Sequence, residues 1–262
     1  MKITKIQVIG GCHIAGYGLQ NQKDNFVDVL MSSVNSEQIT FVKKTQAYVS
    51  LKKFFQEANN IHEFSPDILL IQLGNHEFTI NLRAKLFSYL KIKQEKKVGG
   101  ETSPAIPYPP GATVVSKPKY FKILVYSSLK LAFDSFLSFT KKNMQQREVE
   151  LKQFIDILDQ LNYNIILLPP LPSLDRFTQK SRKSAVDFIK NYDFKNKKVR
   201  YIDSHALIPL KRTYFQDGVH LNKEGHMQVA NKLQSIFNEL STLNQSETFL
   251  IKDHINLSKM AN

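Results

Sequence analysis

Five short apolar runs recur along the chain, and between them lie amphipathic stretches or longer connections. This alternation is the strongest constraint on the fold. "KIQVIG" (5–10) is a β-branched run that ends on glycines. "QITFV" (38–42), "PDILLIQLG" (66–74), "YNIILLPPLP" (163–172) and "KVRYIDS" (198–204) complete the set. The run at 66–74 is uninterrupted, which suits a strand covered on both faces. The stretch "DNFVDVLMSSV" (24–34) places Phe26, Val27, Leu30 and Val34 at helical spacing. "SLKKFFQEA" reads as a second helix, "QKSRKSAVDFIKNY" as a later one, and "NKEGHMQVANKLQSIFNEL" (222–240) as a closing helix with Asn222 as its cap. Strands alternating with helices imply a parallel sheet with right-handed crossovers, hence a three-layer α/β/α sandwich.

In such a sandwich ligands bind beyond the carboxyl ends of the strands. Three turns stand there. The first is Gly10-Gly11-Cys12-His13, the second is Gly74-Asn75-His76-Glu77, and the third is the late loop "FQDGVHLNKEGH" with Asp217 and His220. Cys12 is the single cysteine among 262 residues. A lone cysteine excludes an intramolecular disulfide framework and fits a reducing compartment. A free cysteine of no special role is a small buried hydrophobe, so the reading turns on what the other two turns bring to it.

The three turns carry a family resemblance. "IGGCHIAG" resembles the GDSxxxG block of the SGNH, or GDSL, hydrolases, with Gly10 and Gly16 in register and Cys12 in the position of the serine. "QLGNHE" is similar to the GxND block at the end of the third strand. "DGVHLNKEGH" resembles the DxxH block that supplies the aspartate and histidine. The resemblance runs from residue 3 to about residue 240. It implies a mainly parallel five-stranded sheet of flavodoxin-like type and an esterase, thioesterase or acyltransferase with a covalent acyl-cysteine intermediate. The implied catalytic residues are Cys12 as nucleophile, His220 as general base and Asp217 as its orienting partner. For the oxyanion it implies the Cys12 N–H, a side chain of His76 or Asn75, and a backbone N–H near Ala47. His13, Gly74 and Glu77 are expected to contact substrate.

The departures from the family pattern are specific. Gly11 stands where the block has its first aspartate, His76 falls at the asparagine position, and the second-block glycine has no counterpart near Thr45 to Ala47. A thiol can replace the hydroxyl, because an appreciable fraction ionises near neutrality. Two rival readings use the same chain: an SGNH-like domain that binds acyl or glycan groups without turnover, and a metal site built from Cys12, His13, His76, Asp217 and His220, ligand types suited to zinc. The enzyme reading needs no cofactor and no metal.

The domain expected over 1–245 carries an insertion at about 93–145. There a Pro/Gly-rich loop precedes "KYFKILVYSSLKLAFDSFLSFTKK" (119–142), an amphipathic helix that either serves as the ordinary crossover or touches anionic lipid. Residues 246–262 read as a C-terminal extension. The net charge of +13 favours acidic partners. An acidic acyl carrier protein bearing the substrate is such a partner. Nucleic acid is not expected, since the charge is dispersed and no zinc-finger or single-strand motif is present. The apolar run at the start is too short for a signal peptide, and the expected location is the cytoplasm.

Overall fold

A computed structural model describes residues 4–33, 39–45, 51, 61, 64–74, 78, 114–196 and 198–243. Its centre is a five-stranded sheet in the order β2-β1-β3-β4-β5. The strands are β1 (Thr4–Gly10), β2 (Ile39–Thr45), β3 (Ile68–Gln72), β4 (Asn164–Leu168) and β5 (Val199–Tyr201). All four pairings are parallel, with Ile6 opposite Ile68, Leu70 opposite Ile166, and Gly10 level with Thr45 and Gln72. Each observed strand lies within or beside the apolar run expected for it. Pro169 stops β4, as proline cannot donate to the ladder.

The period of two sorts the strand side chains to two cores. Ile6, Val8, Ile68, Leu70, Ile166 and Leu168 face one side, where α1 (Phe26–Ser33) and the closing helix α6 (Lys223–Leu243) pack. Ile9, Leu69, Ile71, Ile165 and Leu167 face the other, covered by α3 (Phe139–Gln160) and α4 (Arg176–Lys190). The two layers of helices and the sheet between them form the sandwich expected from the sequence. Strand order reverses between β1 and β3, which makes the carboxyl end of that pair the switch point of the fold.

The single helix expected over 119–142 is corrected to two. Helix α2 spans Lys117–Leu137 and is capped by the Ser116 hydroxyl, which accepts from the Lys119 N–H. Ser138 then takes a left-handed conformation (φ 52°, ψ 31°) and α3 begins at Phe139. The turn at Ser138 lets the two helices have different jobs. α3 is the crossover onto the sheet through Leu151, Phe154, Ile155 and Leu158, all fully buried. α2 stands over the late loop, tied down by ion pairs from Lys130 to Asp175 and from Asp134 to Lys180. A short helix α5 (Ser204–Leu207) follows β5. Among the described residues no helix is long and apolar enough to cross a membrane. The helix expected at "SLKKFFQEA" lies outside the described residues except for Leu51, as do the Pro/Gly-rich loop up to residue 113 and the extension at 246–262.

Candidate active site

After β1 the chain winds through a compact turn. The Ala15 N–H donates to the Gly11 carbonyl at 3.1 Å, and the Tyr17 N–H to the Cys12 carbonyl at 2.9 Å. These bonds hold Cys12 half-buried at the carboxyl edge of the sheet. The Cys12 N–H itself meets no acceptor among the described residues. Gly16 closes the turn at φ +70°, and a Cβ there would run into the Gln22 carbonyl oxygen. We expect Gly16→Ala to cost about 2 kcal/mol or more, from left-handed strain plus that collision. Urea unfolding measures it, and an unchanged midpoint would mean that the turn is free to rearrange.

The late loop is a tight hairpin, closed by an antiparallel bridge between Phe215 and Leu221 and by the Gln216 N–H donating to the His220 carbonyl. Within it Asp217 curls back on the chain. Its Oδ1 accepts from the N–H groups of Val219 and His220 at 2.6 and 2.7 Å, and its Oδ2 accepts from His220 Nδ1 at 2.9 Å. The loop is also held from outside. The Gly218 carbonyl takes the Ser173 hydroxyl at 2.7 Å and the Leu174 N–H at 2.9 Å, and Ser173 lies just after β4. On the far side Asn222 starts α6, its Oδ1 accepting from the Gly225 N–H and its Nδ2 donating to the Thr213 carbonyl. Asn222 is the cap expected from the sequence.

The Cys12 side chain lies beside the His220 ring and acts with Asp217 on its titration. With Nδ1 taken by the carboxylate, Nε2 is the nitrogen left for the sulfur. Burial alone would lower the His220 pKa. The bond to Asp217 and the Cys12 side chain, with their charges, outweigh it and hold the ring up at about 9. The Tyr17 ring lies 4.9 Å from the His220 ring, centre to centre, and shields it.

Two more imidazoles extend the row inward. His13 is buried, with Nδ1 3.6 Å from the Cys12 sulfur and its ring 5.8 Å from both His220 and His226. Burial, then the neighbouring charges of His226 and His220, push His13 well below its ordinary value. His226 accepts from the Phe26 N–H at 3.2 Å, and burial lowers it to about 3. Both rings are therefore neutral while His220 is charged at neutral pH.

Arg182 on α4 is fully buried near this row. Its Nη1 donates to the carbonyls of Leu171 and Pro172, whereas Nε and Nη2 meet no acceptor among the described residues. Burial pulls its pKa down to about 10 against the charges of Cys12, Asp217 and Asp175.

The fold thus brings Cys12, His13, Asp217 and His220 together. Gly74 is buried just past β3 at the same edge. Ala47, Asn75, His76 and Glu77 lie outside the described residues. No group of His, Cys, Asp or Glu among the described residues is arranged to hold a metal. Arg182 and His226 were not singled out from the sequence, yet both carry a signal. Each sits on the apolar stripe of its helix, Arg182 with Ala185, Val186 and Ile189, His226 with Val229, Ala230 and Leu233.

No family model matches the chain, and neither does any curated protein. Solved structures do match. A family 3 carbohydrate esterase from Clostridium thermocellum superposes with a TM-score of 0.53 at 13% identity, over 92% of this chain and 99% of that one. A variant of an acetyl-xylooligosaccharide esterase from Geobacillus gives 0.51 at 15% identity, over 90% and 95%. A psychrotrophic esterase from Pseudoalteromonas gives 0.50 at 14% identity, over 91% and 99%. The chain has the fold of these esterases. At such low identity the chemistry has to be argued from this chain's own residues.

Proposed function

We propose that the chain is an acyl-group hydrolase or acyltransferase that works through Cys12, with an ester or thioester as donor. The observation that carries this reading is the juxtaposition of Cys12 with the His220 ring, whose Nδ1 is bonded to Asp217 Oδ2 at 2.9 Å, at the carboxyl edge of the sheet. At 13–15% identity the matched structures support the fold alone.

In the reactive form of the pair, the proton that Cys12 gives up sits on His220, whose pKa is held at about 9. The Cys12 sulfur attacks the acyl carbonyl carbon and forms a C–S bond. The negative charge that develops on the carbonyl oxygen meets the unused Cys12 N–H, a donor of the type that lowers such a barrier by about 3 kcal/mol. The bond to the leaving alcohol or thiol then breaks as His220 gives up its proton to it. In the second half, water, an alcohol or an amine delivers a proton to His220 and attacks the acyl-cysteine, and sulfur leaves with the electrons of the C–S bond. Asp217 keeps the ring in place through both halves and stabilises its charged form. The acceptor decides between hydrolysis and transfer.

Intact-mass spectrometry after incubation with acyl thioesters and aryl esters tests this reading. The expected result is a mass increase equal to one acyl group on the wild-type chain and none on Cys12→Ala. Acylation is also expected to slow as pH rises through about 9, where His220 loses the proton that the leaving group needs. An absence of adduct from every donor would leave a binding domain instead.

A further inference from the structure

Helix α2 turns one face away from the molecule. Phe121, Val125, Tyr126, Leu129, Phe133 and Phe136 are all exposed, Phe136 at 88%. At 100° per residue they fall within an arc of about 140°, and the stripe runs about 22 Å along the helix. The opposite side is committed. Tyr120 and Ile123 pack on the core, Ser127 is buried, and Asp134 is sealed against Lys180.

Charge is distributed to match. From residue 114 to residue 147 the cations are Lys117, Lys119, Lys122, Lys130, Lys141, Lys142 and Arg147. The single acid in that span is Asp134, which faces inward. Lys117, Lys119 and Lys122 at one end of the stripe and Lys141 and Lys142 beyond the other are exposed.

We infer that the outer face of α2 is a docking surface for an anionic membrane. Aromatic and aliphatic side chains in one row, flanked by lysines, let a helix lie in the headgroup plane with its apolar face submerged. Each lysine near an anionic surface adds about 1 kcal/mol of attraction. The ridge is convex and single, so it suits a surface that yields to it without needing a matching groove. A second copy of the chain fits poorly, because pairing the same face would set lysines against lysines in a protein of net charge +13. Docking in this way sets the late loop about one helix diameter, roughly 10 Å, from the lipid, since a Cβ at Gly218 would lie 3.4 Å from the Ile123 side chain on the inner face of α2.

Co-sedimentation of the full chain with vesicles tests the inference without reference to catalysis. Phosphatidylcholine vesicles containing about a third phosphatidylglycerol are expected to bind it, and phosphatidylcholine alone to bind it at least about tenfold more weakly. Partition is expected to drop about tenfold or more in a triple variant Phe121→Ser, Phe133→Ser, Phe136→Ser. A comparable drop is expected in Lys117→Glu, Lys119→Glu, Lys122→Glu and in about 0.5 M salt. Unchanged circular dichroism and unfolding temperature confirm that these surface variants are folded. Wild-type chain that stays in the supernatant with every vesicle overturns the inference. So does a Phe triple variant that binds as wild type does. Binding to polyglutamate but not to vesicles would reassign the face to an acidic protein. A dimer abolished by the Phe substitutions, without vesicle binding, would reassign it to a second copy.

Discussion

Asp217→Asn is expected to lower acyl turnover by about 10⁴-fold while leaving the chain folded. The asparagine keeps an oxygen for the N–H groups of Val219 and His220, so the hairpin survives. What changes is the face toward the ring. An amide N–H set against His220 Nδ1–H cannot hold the imidazole in its present orientation, and the negative charge that keeps the ring near a pKa of 9 is gone. The variant should therefore show both the loss of rate and a lowered His220 titration, followed by the ring proton signals in NMR. Cys12→Ala and His220→Ala are expected to fall as far, and the double variant no further, because groups that act as a unit are not additive. Retention of turnover in Cys12→Ala would exclude the sulfur as nucleophile. A rate loss in Asp217→Asn with an unmoved His220 titration would assign the aspartate to the loop alone.

The second large effect is on stability in acid. His13 and His226 are neutral in the folded chain, with pKa values held far below the 6.5 they take once unfolded. As pH falls below about 6.5 the unfolded chain therefore binds protons that the folded one does not. Each such ring removes about 1.4 kcal/mol per pH unit until its folded pKa is reached. His226, with a folded pKa of about 3, accounts for about 2 kcal/mol between pH 6.5 and 4.5, and His13 acts in the same direction. His220 works in the opposite sense. Its raised pKa gives stability that is complete below about 6.5 and is lost as pH climbs to about 9. The two trends together place maximum stability near pH 6.5. Urea midpoints measured at pH 4.5, 5.5 and 6.5 give the acid slope. His226→Asn, whose oxygen can still accept from Phe26, should make it shallower by about 1.4 kcal/mol per unit. An equal slope in that variant would show that carboxylates, and not the buried imidazoles, dominate acid unfolding.

The sheet was legible because its strands are covered on both sides. Such strands must be continuous apolar runs, and "DILLIQ" or "NIILL" can hardly be anything else once glycine or proline ends them. The nearness of Cys12, Asp217 and His220 was legible because the turns that present them carry few residue types, and their order followed a known pattern. What local pattern could not show was the break at Ser138. The stretch 119–142 is compatible with one helix, and the break arises from tertiary demands: α3 must cross the sheet while α2 is held by Asp175 and Lys180. Arg182 was passed over for a related reason. An arginine in a lysine-rich segment reads as surface, and only its phase against Ala185 and Ile189 places it inside.

Cys12 stands fourteen residues before the start of α1 at Phe26, and the imidazole beside it stands at position 220, two residues before the Asn222 cap of α6. During synthesis the thiol emerges 208 residues ahead of that imidazole. Reactivity is thereby delayed until β4 is in the sheet and the Ser173 hydroxyl can grip the loop that bears the histidine. The appearance of thiol reactivity that depends on His220 would serve as a clock for completion of the fold.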